Sequence, residues 1–203
     1  MSKSVTEIVD YCQGLFDDLD FTAAREWKAA DPSRKVIGYM PVYVPREIIH
    51  AAGMLPLGIL GGGESMEVIH GDAYYQSYIC RIPRSTIELA ITKKIDFVDG
   101  MLFPSICDVI RNLSGMWKLM FPDVYARYFD VPQNYLDEVG GNYYVQELRE
   151  LMEGLEELGG ARSRMTTCAA RSRSTTRTAV WSKRSTTSAP SSLGRRRRGR
   201  STW

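Results

Sequence analysis

Two cysteines, Cys80 and Cys107, are the residues of this chain whose type and position most directly indicate chemistry. Cys107 follows the apolar segment FVDGMLFP and opens CDVIRNLSGMWKL, a segment with apolar residues at helical spacing. This junction puts its sulfur at the carboxyl edge of a parallel sheet, where ligand sites gather. The partial positive charge of the following helix N-terminus favours the thiolate form.

Cys80 has a similar setting. The segment SYICRIPRS places it at the entry into a helix, with Arg81 and Arg84 beside it to offset negative charge. Two such thiols could share one ligand, including a metal centre. Because two cysteines without C-x-x-C spacing are also typical of buried thiols, the pattern alone leaves both interpretations open.

Other polar and glycine positions give weaker signals. Three glycines at 61–63 follow a predicted strand, but neither G-x-G-x-x-G nor a Walker lysine is present, so a plain turn is favoured over a phosphate loop. His50 lies among apolar residues of a predicted helix, which is typical of a structural histidine. His70, between the glycines and Cys80, is the better candidate for proton transfer.

Strands and helices alternate along the part of the chain that positions these residues. Strands are predicted at 35–40, 54–60, 97–103 and 125–131, and helices at 45–52, 84–92, 107–121 and 144–158. Two earlier helices are predicted. One begins after the Ser4–Glu7 capping box and carries Cys12 on its buried apolar face, and the other covers 23–30. The order predicts an α/β fold with a parallel, Rossmann-like sheet flanked by helices. An N-terminal helical segment, 1–34, precedes this α/β domain, 35–160.

Several classes of protein are disfavoured by composition. No apolar run reaches membrane-spanning length, and the opening MSKSVTEIVDYC has acidic residues where a secretory signal carries a basic segment. The few, widely spaced cysteines argue against a disulfide framework. We therefore expect a cytoplasmic protein that has no membrane partner.

Residues 161–203 differ sharply in composition from the rest of the chain. They hold 11 Arg, one Lys, 17 Ser or Thr and no Asp or Glu, whereas residues 1–160 hold the other 14 basic residues and all 24 acidic ones. The formal net charge of +2 thus combines a body of −10 with a tail of +12.

Two interpretations of this tail compete. A basic, disordered arm that binds nucleic acid is one, because such a composition cannot bury enough apolar surface to fold. The other is a frameshift near Gly160. The one alternative reading frame that stays open can encode, with allowed codons, an amphipathic helix with an Asp-rich first turn. We favour the frameshift, which makes the tail an out-of-frame, disordered segment with no nucleic-acid partner.

Three segments resemble a known family: VIGYMPVYVPREIIHAAGMLPLGIL, YICRIPRS and DGMLFPSICDVIRNL, in this order. Together they are similar to the benzoyl-CoA reductase and 2-hydroxyacyl-CoA dehydratase family over essentially residues 1–160. Within the family, the resemblance is greatest to the γ subunits of the ATP-dependent reductases.

The resemblance implies an iron–sulfur subunit in which three cysteines hold a [4Fe–4S] cluster. Cys80 and Cys107 match the first two of these ligands. The third would lie in a second α/β domain beyond the end of this chain, so we expect the chain alone to be inactive. Glu64 and His70 are the candidate proton donors by location.

The resemblance also implies partners and a reaction. A homologous cluster-bearing subunit and two subunits that hydrolyse MgATP would complete the enzyme, with ferredoxin as electron donor. Electrons driven to the cluster would reduce benzoyl-CoA to a cyclic dienoyl-CoA. The alternative within the family is a 2-hydroxyacyl-CoA dehydratase component, which forms a ketyl radical and expels hydroxide. Val42, where the dehydratases carry a small polar residue before Tyr-Val-Pro, favours the reductase.

Overall fold

The computed structural model describes residues 4–63 and 66–159, and within them four parallel strands form one sheet. The strands are β1 (Val36–Tyr39), β2 (Leu55–Gly58), β3 (Gly100–Pro104) and β4 (Tyr125–Phe129), in the order β2-β1-β3-β4. In register, Gly38 of β1 lies between Leu57 and Met101. The predicted parallel sheet is therefore confirmed. Glu64 and the tail at 161–203 lie outside the described residues.

Six α-helices are described: α1 (Val5–Asp17), α2 (Thr22–Ala29), α3 (Arg46–Ala51), α4 (Arg81–Ile91), α5 (Asp108–Met120) and α6 (Asn142–Gly159). They cover both faces of the sheet. Successive strand side chains point to opposite faces, so Met101 and Phe103 join a core with α4 and α5, while Leu102 joins a second core with α3 and α6. This two-sided burial explains why the strands are almost continuously apolar in sequence.

The capping box of α1 forms as predicted, but the predicted burial of Cys12 is wrong. The Ser4 side chain accepts a hydrogen bond from the Glu7 amide, and the Glu7 carboxylate accepts one from the Ser4 amide. No residue of α1 is buried, and Cys12 is exposed. Within the described part of the chain, no element packs over the apolar face of this helix closely enough to bury it.

Helix α4 begins at Arg81, three residues before the predicted start. Pro83 lies in its first turn, where amide groups have no partner inside the helix and a proline is tolerated. The helix ends before Lys93, which has a left-handed φ of 61°. Arg25 of α2 holds this end in place by donating hydrogen bonds to the carbonyl oxygens of Lys93 and Lys94.

Among the described residues, no helix is both long enough and apolar enough to cross a membrane.

Candidate metal centre

The order of the strands identifies one edge of the sheet as the place for a site. Connections from β1 and β3 lead to neighbouring strands on opposite sides, so the topological switch point lies between the carboxyl ends of these two strands. Ligands of open parallel sheets bind in the crevice at this point. Cys107 lies three residues beyond Pro104, the last residue of β3.

Cys107 is the N-cap residue of α5. Its backbone is extended, with φ −159° and ψ 168°, and its carbonyl oxygen accepts a hydrogen bond from the Arg111 amide. The connection from β3 is held by Ser105, whose amide donates to the Phe129 carbonyl oxygen and whose hydroxyl accepts from the Val131 amide. The thiol is therefore presented from a backbone that β4 fixes.

Cys80 is the N-cap residue of α4, and the glycine turn after β2 sets the position of this helix. Gly61 has φ +79°, and a Cβ atom there would lie 2.2 Å from Ser85 Oγ and 3.1 Å from the Ile82 carbonyl oxygen. The first turn of α4 can therefore approach the end of β2 only because residue 61 has no side chain. This contact accounts for the glycine as a packing element, as the plain-turn interpretation expects.

The cleft beside the glycine turn also disfavours a phosphate ligand. It lies between α1 and the end of β2, and its lining includes Leu15, Phe16, Leu60 and residues 61–63. Among the described lining residues, Asp17 is the charged one, and it would repel a phosphate group.

Both cysteines are exposed, and neither side chain makes a capping hydrogen bond. Their sulfurs remain available as ligands next to helix N-termini, where unpaired amides and the helix dipole stabilise negative charge. A thiolate-ligated iron–sulfur cluster is such an anionic group.

Tyr75 lies five residues before Cys80 and packs against the core that α4 and α5 share. Burial, followed by the charges of Cys80 and then Cys107, raises the pKa of Tyr75 to about 12. Helices α4 and α5 contribute to the same hydrophobic core. The structure therefore places the two predicted site residues at the starts of two helices that share this core.

The arginines beside Cys80 are engaged with the loop that precedes α4. Arg81 donates hydrogen bonds to the carbonyl oxygens of Gly63 and Met66, and Arg84 pairs with Asp72 at 2.8 Å. They hold this loop against the helix. Whether they also offset charge on Cys80 stays a prediction.

His70 is paired with a buried carboxylate of α4. Its Nδ1 is 2.8 Å from Oε1 of Glu88, a residue eight positions after Cys80 and so about 12 Å farther along the helix axis. Glu88 is only 3% exposed and also accepts hydrogen bonds from the amides of Ile69 and Gly71. His70 is therefore part of a structural anchor. His50 lies on α3, in the opposite helix layer.

The donor set fits part of an iron–sulfur site. In the ranges 4–63 and 66–159, no group of three or more His, Cys, Asp or Glu side chains could hold a metal ion. Cys80 and Cys107 supply two thiols of the type that binds these clusters, so further ligands would have to come from outside the described residues.

Comparisons with known proteins show which proteins this chain is similar to. The family model described as 2-hydroxyglutaryl-CoA dehydratase, D-component, matches residues 41–178 and so continues past residue 160. A benzoyl-CoA reductase subunit of Thauera aromatica is 78% identical over 157 residues, which are 77% of this chain and 41% of that protein.

Two dehydratase subunits are more distant. The (R)-phenyllactyl-CoA dehydratase beta subunit of Clostridium sporogenes is 32% identical over 127 residues, covering 63% of this chain and 33% of that protein. The (R)-2-hydroxyglutaryl-CoA dehydratase beta subunit of Acidaminococcus fermentans is 32% identical over 128 residues, covering 63% and 34%. The chain thus spans less than half the length of each of these relatives.

Proposed function

Because this chain belongs to the 2-hydroxyglutaryl-CoA dehydratase D-component family, we propose that it is part of the iron–sulfur subunit of a benzoyl-CoA reductase. The observation that carries the proposal is the 78% identity to the benzoyl-CoA reductase subunit of Thauera aromatica, together with two cysteines at the N-caps of adjacent helices. The identity to the two dehydratase subunits is only 32%, and this difference favours the reductase, as does Val42.

Cys80 and Cys107 would hold two corners of a [4Fe–4S] cluster, and a third cysteine would come from the rest of the subunit. When bound, such a cluster supplies single electrons at very low potential, down to about −700 mV across the known range. The protein side contributes two helix N-termini that stabilise negative charge next to the thiolates. It also contributes a backbone that the glycine turn and Ser105 hold in place.

Partners complete the proposed enzyme. The sequence carries neither a Walker motif nor G-x-G-x-x-G, so the proposal assigns MgATP hydrolysis to two partner subunits. A homologous cluster-bearing subunit would share the substrate benzoyl-CoA, and ferredoxin would deliver electrons. The assembly would work in the cytoplasm, where MgATP is available. The product would be a cyclic dienoyl-CoA.

The test uses the complete subunit, meaning this chain with its reading frame restored near Gly160 and the remaining length of its relatives present, co-produced with its partner subunits. We expect the complex to oxidise a strong one-electron donor only when benzoyl-CoA and MgATP are both supplied. Omitting each in turn is the control. Turnover of a 2-hydroxyacyl-CoA, with none of benzoyl-CoA, would contradict the reductase and identify the dehydratase.

A further inference from the structure

The hydroxyl of Tyr75 is buried and has no hydrogen-bond partner among the described residues. Its neighbours in sequence differ: Tyr74 is 49% exposed and Tyr78 is 79% exposed, with the Tyr78 hydroxyl donating to Gln76. Leaving a buried hydroxyl unpaired costs about 1–3 kcal/mol. A ligand that brought an acceptor to this hydroxyl would remove that cost.

The position of Tyr75 is fixed by the packing of the preceding turn on α4. Gly71 begins a short 3-10 turn, and a Cβ atom there would lie 2.1 Å from the Arg84 carbonyl oxygen. The Gly71 amide donates to buried Glu88 at 2.7 Å, and Asp72 pairs with Arg84. Tyr75 follows within four residues, and its ring packs against the core under α4 and α5.

Tyr75 lies five residues before Cys80, and its ring packs against the core that α4 and α5 share, the two helices that begin at Cys80 and Cys107. Burial, and after it the charges of Cys80 and Cys107, raise the pKa of the Tyr75 phenol. Sulfur is an acceptor for hydroxyl donors, and a thiolate or cluster sulfide is a stronger acceptor than a thiol because it carries negative charge. The chemistry that fits the unpaired hydroxyl is therefore an anionic sulfur bound between the two helix N-termini.

We propose that Tyr75 is a positioning residue, which donates a hydrogen bond to a sulfur atom of the cluster site formed by Cys80 and Cys107. This inference rests on the proposed function. Such a bond withdraws electron density from sulfur and stabilises the reduced cluster, which raises its reduction potential. Tyr75 would thus tune the potential of the cluster without itself being a ligand.

The experiment compares Tyr75→Phe with Tyr74→Phe in the complete subunit and its complex, by redox titration of the cluster followed by electron paramagnetic resonance. In Tyr75→Phe we expect iron to be retained and the midpoint potential to become more negative. At a fixed potential the ratio of reduced to oxidised cluster should fall about tenfold, equivalent to about 59 mV for one electron. Tyr74→Phe should leave the midpoint unchanged. An unchanged midpoint in Tyr75→Phe would overturn the inference.

Two further results separate the inference from the proposed function. If the wild-type complex holds no iron, or if Cys80→Ser and Cys107→Ser keep it, the proposed function fails and the inference fails with it. If Tyr75→Phe loses iron, 3-fluorotyrosine at position 75 decides, because its hydroxyl is a stronger donor of nearly the same size. A more positive midpoint supports the hydrogen bond, and an unchanged one overturns it.

Discussion

Cys80 and Cys107 occupy equivalent positions on neighbouring helices, since each is the N-cap residue of a helix that starts at the carboxyl edge of the sheet. Ser, Thr, Asp and Asn are the usual N-caps because their side-chain oxygens accept hydrogen bonds from the first free amides. Neither cysteine makes such a bond. Two helix starts therefore leave their amides for another anion, which is consistent with ligation of a negatively charged group between them.

Glu88 should contribute stability that depends on pH. Burial raises the pKa of Glu88, but hydrogen bonds from His70 and the Gly71 amide outweigh it and hold the pKa below its ordinary value of 4.5. The stabilisation is therefore present above about pH 4.5 and is lost as pH falls through the folded-state pKa. Glu88→Gln, which replaces one acceptor oxygen by a donor, should cost about 1–3 kcal/mol at pH 7.

The measurement is denaturant unfolding of wild type and Glu88→Gln at pH 7 and at pH 3.5. The difference in unfolding free energy between them should shrink at the lower pH. Glu153→Gln, at an exposed position of α6, is the matched control and should change little at either pH. If the difference in unfolding free energy between wild type and Glu88→Gln is the same at both pH values, the stabilisation does not come from the ionised Glu88 carboxylate.

Gly61→Ala should displace the start of α4 and thereby reduce metal binding at Cys80. The new Cβ atom would meet Ser85 Oγ at 2.2 Å, and a φ of +79° adds about 1–2 kcal/mol of backbone strain. We expect a lower unfolding temperature together with less iron per complete subunit. Gly115→Ala in α5, where nothing lies within 4 Å, is the control and should be neutral or slightly stabilising. Equal iron content in both variants would show that the glycine turn does not position the metal site.

The sequence predicted the sheet and the positions of both cysteines because these depend on local patterns. Buried parallel strands are apolar on both faces, and a strand followed by an amphipathic helix shows where the carboxyl edge lies. Pro83 obscured the start of α4, since the helix includes the proline in its first turn.

The remaining features depend on contacts between distant segments. Cys12 lies on the apolar face of α1, but the spacing of apolar residues does not show whether another element packs on that face. Glu88 is a lone carboxylate in the apolar segment TIELAI, which signals a buried partner without identifying His70 or the Gly71 amide. Tyr75 belongs to a run of tyrosines, and only the fold distinguishes its buried hydroxyl from the exposed side chain of Tyr74.

The coding DNA should show an inserted or deleted base near Gly160. Restoring the frame is expected to extend the helical layer after α6 with an amphipathic helix. The match to the family model continues to residue 178, so it does not itself mark a boundary at Gly160. An intact frame would revive the basic arm as a nucleic-acid-binding segment. Binding by that arm should weaken steeply as salt concentration rises.

The central claim is that Cys80 and Cys107 hold an iron–sulfur cluster, and the iron and sulfide content of serine variants tests it most directly. The complete subunit, co-produced with its partners, is purified anaerobically as wild type, Cys80→Ser, Cys107→Ser and Cys12→Ser. Cys12 is an exposed cysteine on α1 and serves as the matched control. We predict that iron, sulfide and visible absorption fall in the Cys80 and Cys107 variants and are retained in the Cys12 variant. Unchanged iron and absorption in both Cys80→Ser and Cys107→Ser would contradict the account.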